Sequence, residues 1–362
     1  MQAAPPLLLS VFSSFTMGGA QSRFITLANH FGPAFRHAII AMDGKLDARS
    51  RLESGLEPHF PAVEIRKGDT LGNVRRFRRL LRALRPDVLV TYNWGTIEWA
   101  LANVLPLARH IHIEDGFGPE ERDIQLPRRV LARRLLLRRS TVVLPSRTLL
   151  AIATGIWKLN PRRLRYIPNG IDLDGFGAPP AARLDPTPVI GTVAALRPEK
   201  NLARLLRAFR IASERHPARL VVAGDGPERP ALAALAAELG IAGRVEFTGY
   251  IARPQSLYGG FDIVALSSDT EQMPMAVLEG MAARLPVAAT DVGDIRAMLA
   301  APNAPFLVPR DDAALAGALA TLLGDAALRR SLGEANRAKA ERDYAQATMF
   351  AAYDALFRGT AG

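Results

Sequence analysis

"DIVALSSDTEQMPMAVLEGMAARLPVAATD" spans Asp262 to Asp291. A short apolar run ends in Ser267-Ser268, a polar loop follows, and a second apolar run closes the segment. Between the runs, Pro274 suits the first turn of a helix, where its missing N–H costs nothing. Strand, helix and strand in so short a span read as one parallel crossover. Glu271 falls on the loop at the carboxyl end of the first strand. Glu279 falls on the helix, among Met275, Val277 and Leu278.

The same alternation extends outward in both directions. "PLLLSVF", "RHAIIAM", "DVLVTY", "RHIHIE", "STVVLPS" and "LRYIPNG" are the expected strands of the first half. "PVIGTVA", "RLVVAGDG", "RVEFTGY", "DIVALSS", "PVAATD" and "PFLVP" are those of the second. Val/Ile/Leu runs separated by helical patterns argue for buried parallel strands, hence α/β architecture in two doubly wound units. "GFGAPPAARLDPTP", Gly175 to Pro188, reads as the linker between them. The expected domains are 1–175 and 176–343.

Totals narrow the class. The chain has 362 residues, 49% hydrophobic and 22% charged, which fits a globular protein of two domains. It has no cysteine, so disulfides and thiolate metal sites are excluded. "MQAAPPLLLSVFSSF" lacks a basic leader and is interrupted by Pro5-Pro6. Leu7 to Phe12 therefore reads as a first strand, not a signal peptide. The net charge is +11, and it is one-sided. Residues 1–180 hold 26 Lys and Arg against 15 Asp and Glu, whereas residues 181–362 hold 20 against 20. A basic half suggests an anionic partner, and an Arg-rich composition with solvated side chains explains it equally well. The arginines concentrate in "LGNVRRFRRLLRALRPD" and in "RRVLARRLLLRR", Arg128 to Arg139. The first has Leu71, Val74, Phe77, Leu81 and Leu84 at helical spacing. The second is the better candidate for an anionic membrane surface, its basic and apolar content both being extreme.

Three stretches carry chemistry. In the first, the Met275 and Ala276 amides at a helix start form an anion site suited to a diphosphate. Glu279 there reads as an anchor for a ribose diol, Glu271 as one for a group beyond the phosphates. From this stretch alone, Glu279 reads more readily as a rim residue paired with an arginine. In "TVAALRPEKNLARLLRAF", Arg197 and Lys200 sit in a tight strand-to-helix loop, with Asn201 placed to cap the helix. Two cations there suit a diphosphate whose negative charge grows as a bond to it breaks. In "SSFTMGGAQSRF", Gly18-Gly19 lets backbone approach a ligand closely, though it is not the dinucleotide fingerprint.

Together with "VLPS" (Val143 to Ser146) and "IPNGID" (Ile167 to Asp172), these stretches give the chain a resemblance over nearly its whole length. It resembles the retaining glycosyltransferases of family four, with two facing Rossmann-like domains in the GT-B arrangement. The resemblance implies that the second domain holds a UDP- or GDP-sugar. Arg197, Lys200 and the Met275 and Ala276 amides would hold its diphosphate, Glu279 the ribose, Glu271 the donor sugar. The base would lie near Tyr250 and Ile251, with Gly18 and Gly19 on the phosphate and acceptor side. It implies a catalytic histidine at a strand end of the first domain, for which His112 is the match and His110 the competitor. Relatives often have His-Gly there. This chain has His-Ile-Glu-Asp-Gly, which leaves Glu114 and Asp115 to orient the histidine, bind acceptor or shape the loop. A further departure is "VGDIRAM", where Asp294 and Arg296 replace a common Gly-Gly and Glu. The resemblance also implies a C-terminal helix, within 344–362, that crosses back to the first domain.

The expected function is retaining, metal-independent sugar transfer without a cofactor, to a lipid-linked or anionic saccharide in cell-surface polysaccharide synthesis. The expected location is cytoplasmic, peripheral to the inner membrane through Arg128–Arg139. A sugar-nucleotide epimerase of the same fold is the rival enzyme. A basic module for nucleic acid or membrane is the non-enzymatic one, and the Arg-rich segments show no nucleic-acid signature.

Overall fold

The computed structural model describes residues 4–117, 119–121, 124–176 and 187–360. Two compact units emerge, residues 1–168 with 349–362, and residues 169–348. Most of the expected linker, residues 177–186, lies outside the described residues.

Among the described residues the first unit has six strands, β1 (Leu7–Phe12), β2 (Arg36–Ala41), β3 (Val88–Tyr92), β4 (Arg109–Ile113), β5 (Thr141–Leu144) and β6 (Leu164–Tyr166). They pair in parallel in the order β2-β1-β3-β4-β5-β6. Its helices are α1 (Gly19–Phe31), α2 (Thr70–Leu84), α3 (Ile97–Ala102), α4 (Pro127–Leu136) and α5 (Arg147–Gly155). Successive strand residues point to opposite faces. Leu8 and Phe12 accordingly pack with Phe24 of α1, while Leu9 and Val11 pack with Phe77 of α2 and Trp99 of α3. Phe77 and Trp99 stack at 4.2 Å. Of the apolar positions of α2, Phe77 and Leu81 are buried but Leu71 is 73% exposed.

The second unit has β7 (Val189–Val193), β8 (Arg219–Ala223), β9 (Val245–Gly249), β10 (Ile263–Leu266), β11 (Val287–Thr290) and β12 (Leu307–Val308). Their order is β12-β11-β10-β7-β8-β9, again all parallel. The helices are α6 (Leu202–Ala212), α7 (Arg229–Glu238), α8 (Gln255–Tyr258), α9 (Met275–Ala282), α10 (Ile295–Met298), α11 (Asp312–Gly324) and α12 (Ala326–Asp343). Leu205, Phe209, Leu232 and Leu319 cover one face of this sheet, and Val277, Met281 and Ile295 the other. A last helix, α13 (Gln346–Arg358), packs Met349, Tyr353, Leu356 and Phe357 into the first unit's core. Arg109 of β4 caps it by donating to the carbonyls of Leu356 (2.6 Å) and Phe357.

Two glycines in long helices have opposite reasons to be there. A Cβ on Gly333 of α12 would lie 1.9 Å from the Arg284 carbonyl oxygen, so the helix touches main chain. A Cβ on exposed Gly317 of α11 would meet nothing. Gly333→Ala should therefore cost about 1–3 kcal/mol through overpacking. Gly317→Ala should add up to about 1 kcal/mol from helix propensity alone. Thermal melting of the two variants, shifting in opposite directions, checks this.

Candidate functional site

In the second unit the strand order reverses between β7 and β10. Connections on either side of such a reversal run to opposite faces, which opens a crevice at the carboxyl ends of the strands. The loop after β7 carries Arg197 to Asn201, and the loop after β10 carries Ser267 to Pro274. The two are bolted together. Ser267 Oγ donates to the Lys200 carbonyl (3.0 Å), and the Asp269 amide to the Glu199 carbonyl (2.9 Å). Arg204 donates to the Ser267 carbonyl (2.7 Å) and to Asp269 Oδ1 (2.8 Å). Asn201 caps α6 by accepting from the Arg204 amide (3.3 Å), and does so at φ 43°, a region asparagine tolerates.

This crevice brings Lys200 and Glu271 into contact. Lys200 Nζ lies 2.6 Å from Glu271 Oε1, and Ser268 Oγ donates to the same oxygen at 2.7 Å. The Glu271 side chain is only 8% exposed, so its charge is satisfied by partners instead of water. Arg197 is exposed, with no side-chain hydrogen bond among the described residues. Pro274 stands one place earlier than its sequence suggests. Its ψ of 126° keeps it outside α9 as the N-cap, and its carbonyl accepts from Val277 (3.1 Å). The Met275 and Ala276 amides precede that first closed turn. The "VGD" departure supports the same loop. Gly293 has φ 57°, and a Cβ there would lie 2.1 Å from the Glu271 carbonyl oxygen. The Asp294 amide donates to the Gln272 carbonyl (3.0 Å), and Thr290 Oγ1 to that of Ser268 (2.6 Å).

Glu279, on α9, is half-buried and accepts from the Tyr258 hydroxyl at 2.6 Å. Burial raises its pKa, and the tyrosine hydrogen bond opposes that rise. Burial and then Glu279 push Tyr258 well above its ordinary value, so it remains a proton donor. The rim reading, Glu279 paired with an arginine, is not what the structure shows. Tyr250 and Ile251 follow β9, with Tyr250 61% exposed and Ile251 half-buried.

In the first unit the reversal falls between β1 and β3. Gly18 is the N-cap of α1, and Gly19 its first residue. Arg23, one turn on, is buried and pairs in a fork with Asp115, Nη1 to Oδ1 at 2.6 Å and Nη2 to Oδ2 at 2.7 Å. The Asp115 amide donates to Asn93 Oδ1 (2.7 Å). Asp115 thus stands at the carboxyl edge with Gly18 and Gly19.

His112 and Glu114, at the same end of β4, turn inward instead. Both are fully buried. His112 Nδ1 lies 2.8 Å from Thr91 Oγ1, which also lies 2.9 Å from His110 Nε2. One hydroxyl proton cannot serve both rings, so Thr91 donates to one and accepts from the other. Ser140 Oγ completes the chain, 2.7 Å from His110 Nδ1. Burial, then His112, pushes the His110 pKa down to about 3. Glu114 Oε2 lies 3.5 Å from His112 Nε2 and 3.2 Å from Arg133 Nε. His112 is paired by strand ladders on both sides, and its ring has no exposed surface.

Arg133 takes no part in any surface that "RRVLARRLLLRR" presents. It is buried in a cage of Trp94, Phe117 and Trp157, 4.8 to 5.3 Å from the ring centres, and it holds Glu121 through both Nη groups at 3.0 Å. Arg129 is bonded to Glu120 and Glu121. Arg134 donates to the Ile156 and Trp157 carbonyls. Only Arg128, Arg138 and Arg139 of the six are exposed with no side-chain partner among the described residues. Sequence reasoning missed Arg23, Arg204, Ser268 and Tyr258. Tyr258 lies 21 positions from Glu279, with no periodicity to link them.

Residues 17–174 match the family model described as Glycosyltransferase Family 4, and residues 180–339 that of Glycosyl transferases group 1. An exopolysaccharide phosphotransferase of Streptomyces coelicolor is 33% identical over 274 residues, 74% of this chain and 28% of that protein. The lipopolysaccharide core biosynthesis glycosyltransferase LpsD of Rhizobium meliloti is 31% identical over 191 residues, 51% of this chain and 55% of that protein. The chain thus spans from about a quarter to about half of the length of these curated relatives. Among solved structures, Anabaena HepE in complex with UDP aligns with a TM-score of 0.81 at 18% identity, over 98% of this chain and 100% of that one. WaaG, a glycosyltransferase involved in lipopolysaccharide biosynthesis, aligns at 0.70 and 17%, over 98% and 100%. The fold is of the GT-B type.

Arg133→Leu should cost about 3–5 kcal/mol, because Glu114 and Glu121 lose their buried cation. Arg138→Gln should be near neutral in the same melting assay. Tyr258→Phe should raise the Glu279 pKa further. A carboxyl whose folded pKa is raised contributes stability that is complete below its unfolded pKa and fades as pH rises through the folded value. The variant should push that fading to higher pH, read as the carbon-13 titration of the Glu279 carboxyl.

Proposed function

Because the chain belongs to the family 4, group 1 glycosyltransferases, we propose that it moves a sugar from a nucleoside diphosphate sugar to an acceptor hydroxyl, with the second unit holding the donor. The observation that carries this reading is the Lys200–Glu271 pair at the β7/β10 reversal, between exposed Arg197 and the first amides of α9. Each of the two charges is the other's partner until a donor arrives. A diphosphate offers Lys200 a stronger anion, and a sugar hydroxyl offers Glu271 a proton donor in exchange. Glu279, oriented by Tyr258 on one oxygen, keeps the other for a ribose hydroxyl.

The reaction we propose is retaining. The bond from the anomeric carbon to the diphosphate breaks, and the acceptor oxygen bonds to that carbon on the same face. The acceptor's proton passes to the leaving phosphate, and Arg197 and Lys200 offset the charge that grows there. Asp115, fixed by Arg23, receives an acceptor hydroxyl beside Gly18 and Gly19 in this reading. The acceptor is a lipid-linked or other anionic saccharide for the cell surface, reached at the cytoplasmic face of the inner membrane. The basic first half and the polysaccharide relatives favour it. Among the described residues no helix is long and apolar enough to cross a membrane. Uridine is the first base to test, since HepE was solved with UDP and with UDP-glucose.

A thermal-shift panel of UDP, GDP and their sugars identifies the donor, because a ligand of the folded state raises its melting point. Glu279→Gln should weaken binding of the nucleotide alone. Glu271→Gln should leave nucleotide binding intact or stronger, with Lys200 released, and should cut turnover of the full donor. Activity should persist in excess chelator, and NMR should show the donor's anomeric configuration in the product. Equal loss of nucleotide affinity in both variants would overturn the assignments. A free sugar epimer formed without acceptor would replace transfer by epimerisation.

A further inference from the structure

Two donors converge on one oxygen of Glu271. Lys200 Nζ and Ser268 Oγ both reach Oε1, at 2.6 and 2.7 Å. Oε2 has no hydrogen-bond partner among the described residues, yet it is not shut off from solvent. The carboxylate is thus gripped on one side and open on the other, where its lone pairs can accept from a ligand hydroxyl. In a side chain only 8% exposed, that grip is also the main compensation for its charge.

The two donors are not held equally. Lys200 is a point charge on a flexible four-carbon stem, at the end of a short 3₁₀ turn, with 25% of its side chain exposed. Ser268 is buried just after β10. Its carbonyl accepts from Thr290 Oγ1 at 2.6 Å, and the Ser267 carbonyl before it accepts from buried Arg204 at 2.7 Å. Its hydroxyl sits one carbon from that fixed main chain. The Glu271 main chain is fixed as well, since Gly293 packs so closely that a Cβ there would lie 2.1 Å from the Glu271 carbonyl oxygen. The serine is therefore the partner that stays when an anion draws the lysine away. Without its hydroxyl, Glu271 would lose its last partner or follow the lysine, and either outcome misplaces Oε2.

We propose that Ser268 is a positioning residue of the transfer reaction, holding Glu271 in place while Lys200 passes to the donor's diphosphate. The inference rests on the glycosyl-transfer reading, and Ser268 acts through Glu271. Calorimetry with UDP and hydrolysis of UDP-glucose without acceptor are the test, with GDP and GDP-mannose in their place if the wild type prefers guanosine. Ser268→Ala should weaken the nucleotide roughly tenfold, the loss of one hydrogen bond to a charged group. It should lower kcat for donor hydrolysis roughly tenfold or more, because a displaced carboxylate no longer meets the sugar. Ser268→Cys, of the same shape but a weak donor, should lie between alanine and wild type. In a Glu271→Gln background, Ser268→Ala should change nucleotide affinity by less than about twofold, since no charge is left to be stranded. Losses of equal size with and without Glu271→Gln would mark a structural role and overturn the proposal. So would alanine and cysteine variants that both match the wild type. A wild type that binds neither nucleotide would overturn the donor reading itself, and this inference with it.

Discussion

A parallel strand covered by helices on both faces has no side chain left to offer a ligand. β3, β10 and β11 are buried at every position. Polar chemistry must therefore leave the sheet at its carboxyl edge, through loops, and the reversal of strand order decides which loops meet. In the second unit that reversal places Arg197–Asn201 beside Ser267–Glu271. Arg204, Asp269 and Ser267 hold the two loops together by hydrogen bonds. Without that bolt, Lys200 and Glu271 would be two solvated charges on separate loops.

Each acid of the site has a partner of its own. Glu271 has a cation and a hydroxyl, Glu279 a neutral phenol, and Asp115 a forked guanidinium. The environments differ in what they leave available. A phenol on one oxygen leaves a carboxylate able to accept again. A lysine can be drawn away by a stronger anion. A buried two-pronged arginine is the most rigid of the three, which suits a group that positions instead of exchanging partners.

The Arg-rich half is not one surface. In α4 and the residues after it, Arg133 fastens the loop behind β4 from inside an aromatic cage, while Arg138 and Arg139 are exposed with no side-chain partner among the described residues. Charge counting cannot separate these roles, because both residues have the same chemistry and lie five positions apart. Burial separates them. A guanidinium taken out of water requires carboxylates, and Arg133 has Glu114 and Glu121 beside it.

Much was legible in the residues themselves. Apolar runs alternating with helical patterns locate the twelve strands of the described residues, because burial on both faces demands continuous Val, Ile and Leu. Asn201 as a cap and the helix start after Gly18 follow from local preference, which acts over one turn. Glu271, Glu279 and Lys200 stand out as charges at strand ends or on an apolar helix. What the residues alone left open was every pairing across the fold. Tyr258 with Glu279, Lys200 with Glu271, Arg23 with Asp115 and Arg133 with Glu114 each join different elements. The burial of His112 belongs to the same class, since a histidine near a strand end faces solvent or core according to what packs above it. Local spacing determines which element a residue occupies. Only the closed sheet and its covering helices decide which charges are brought together and which are left to a ligand.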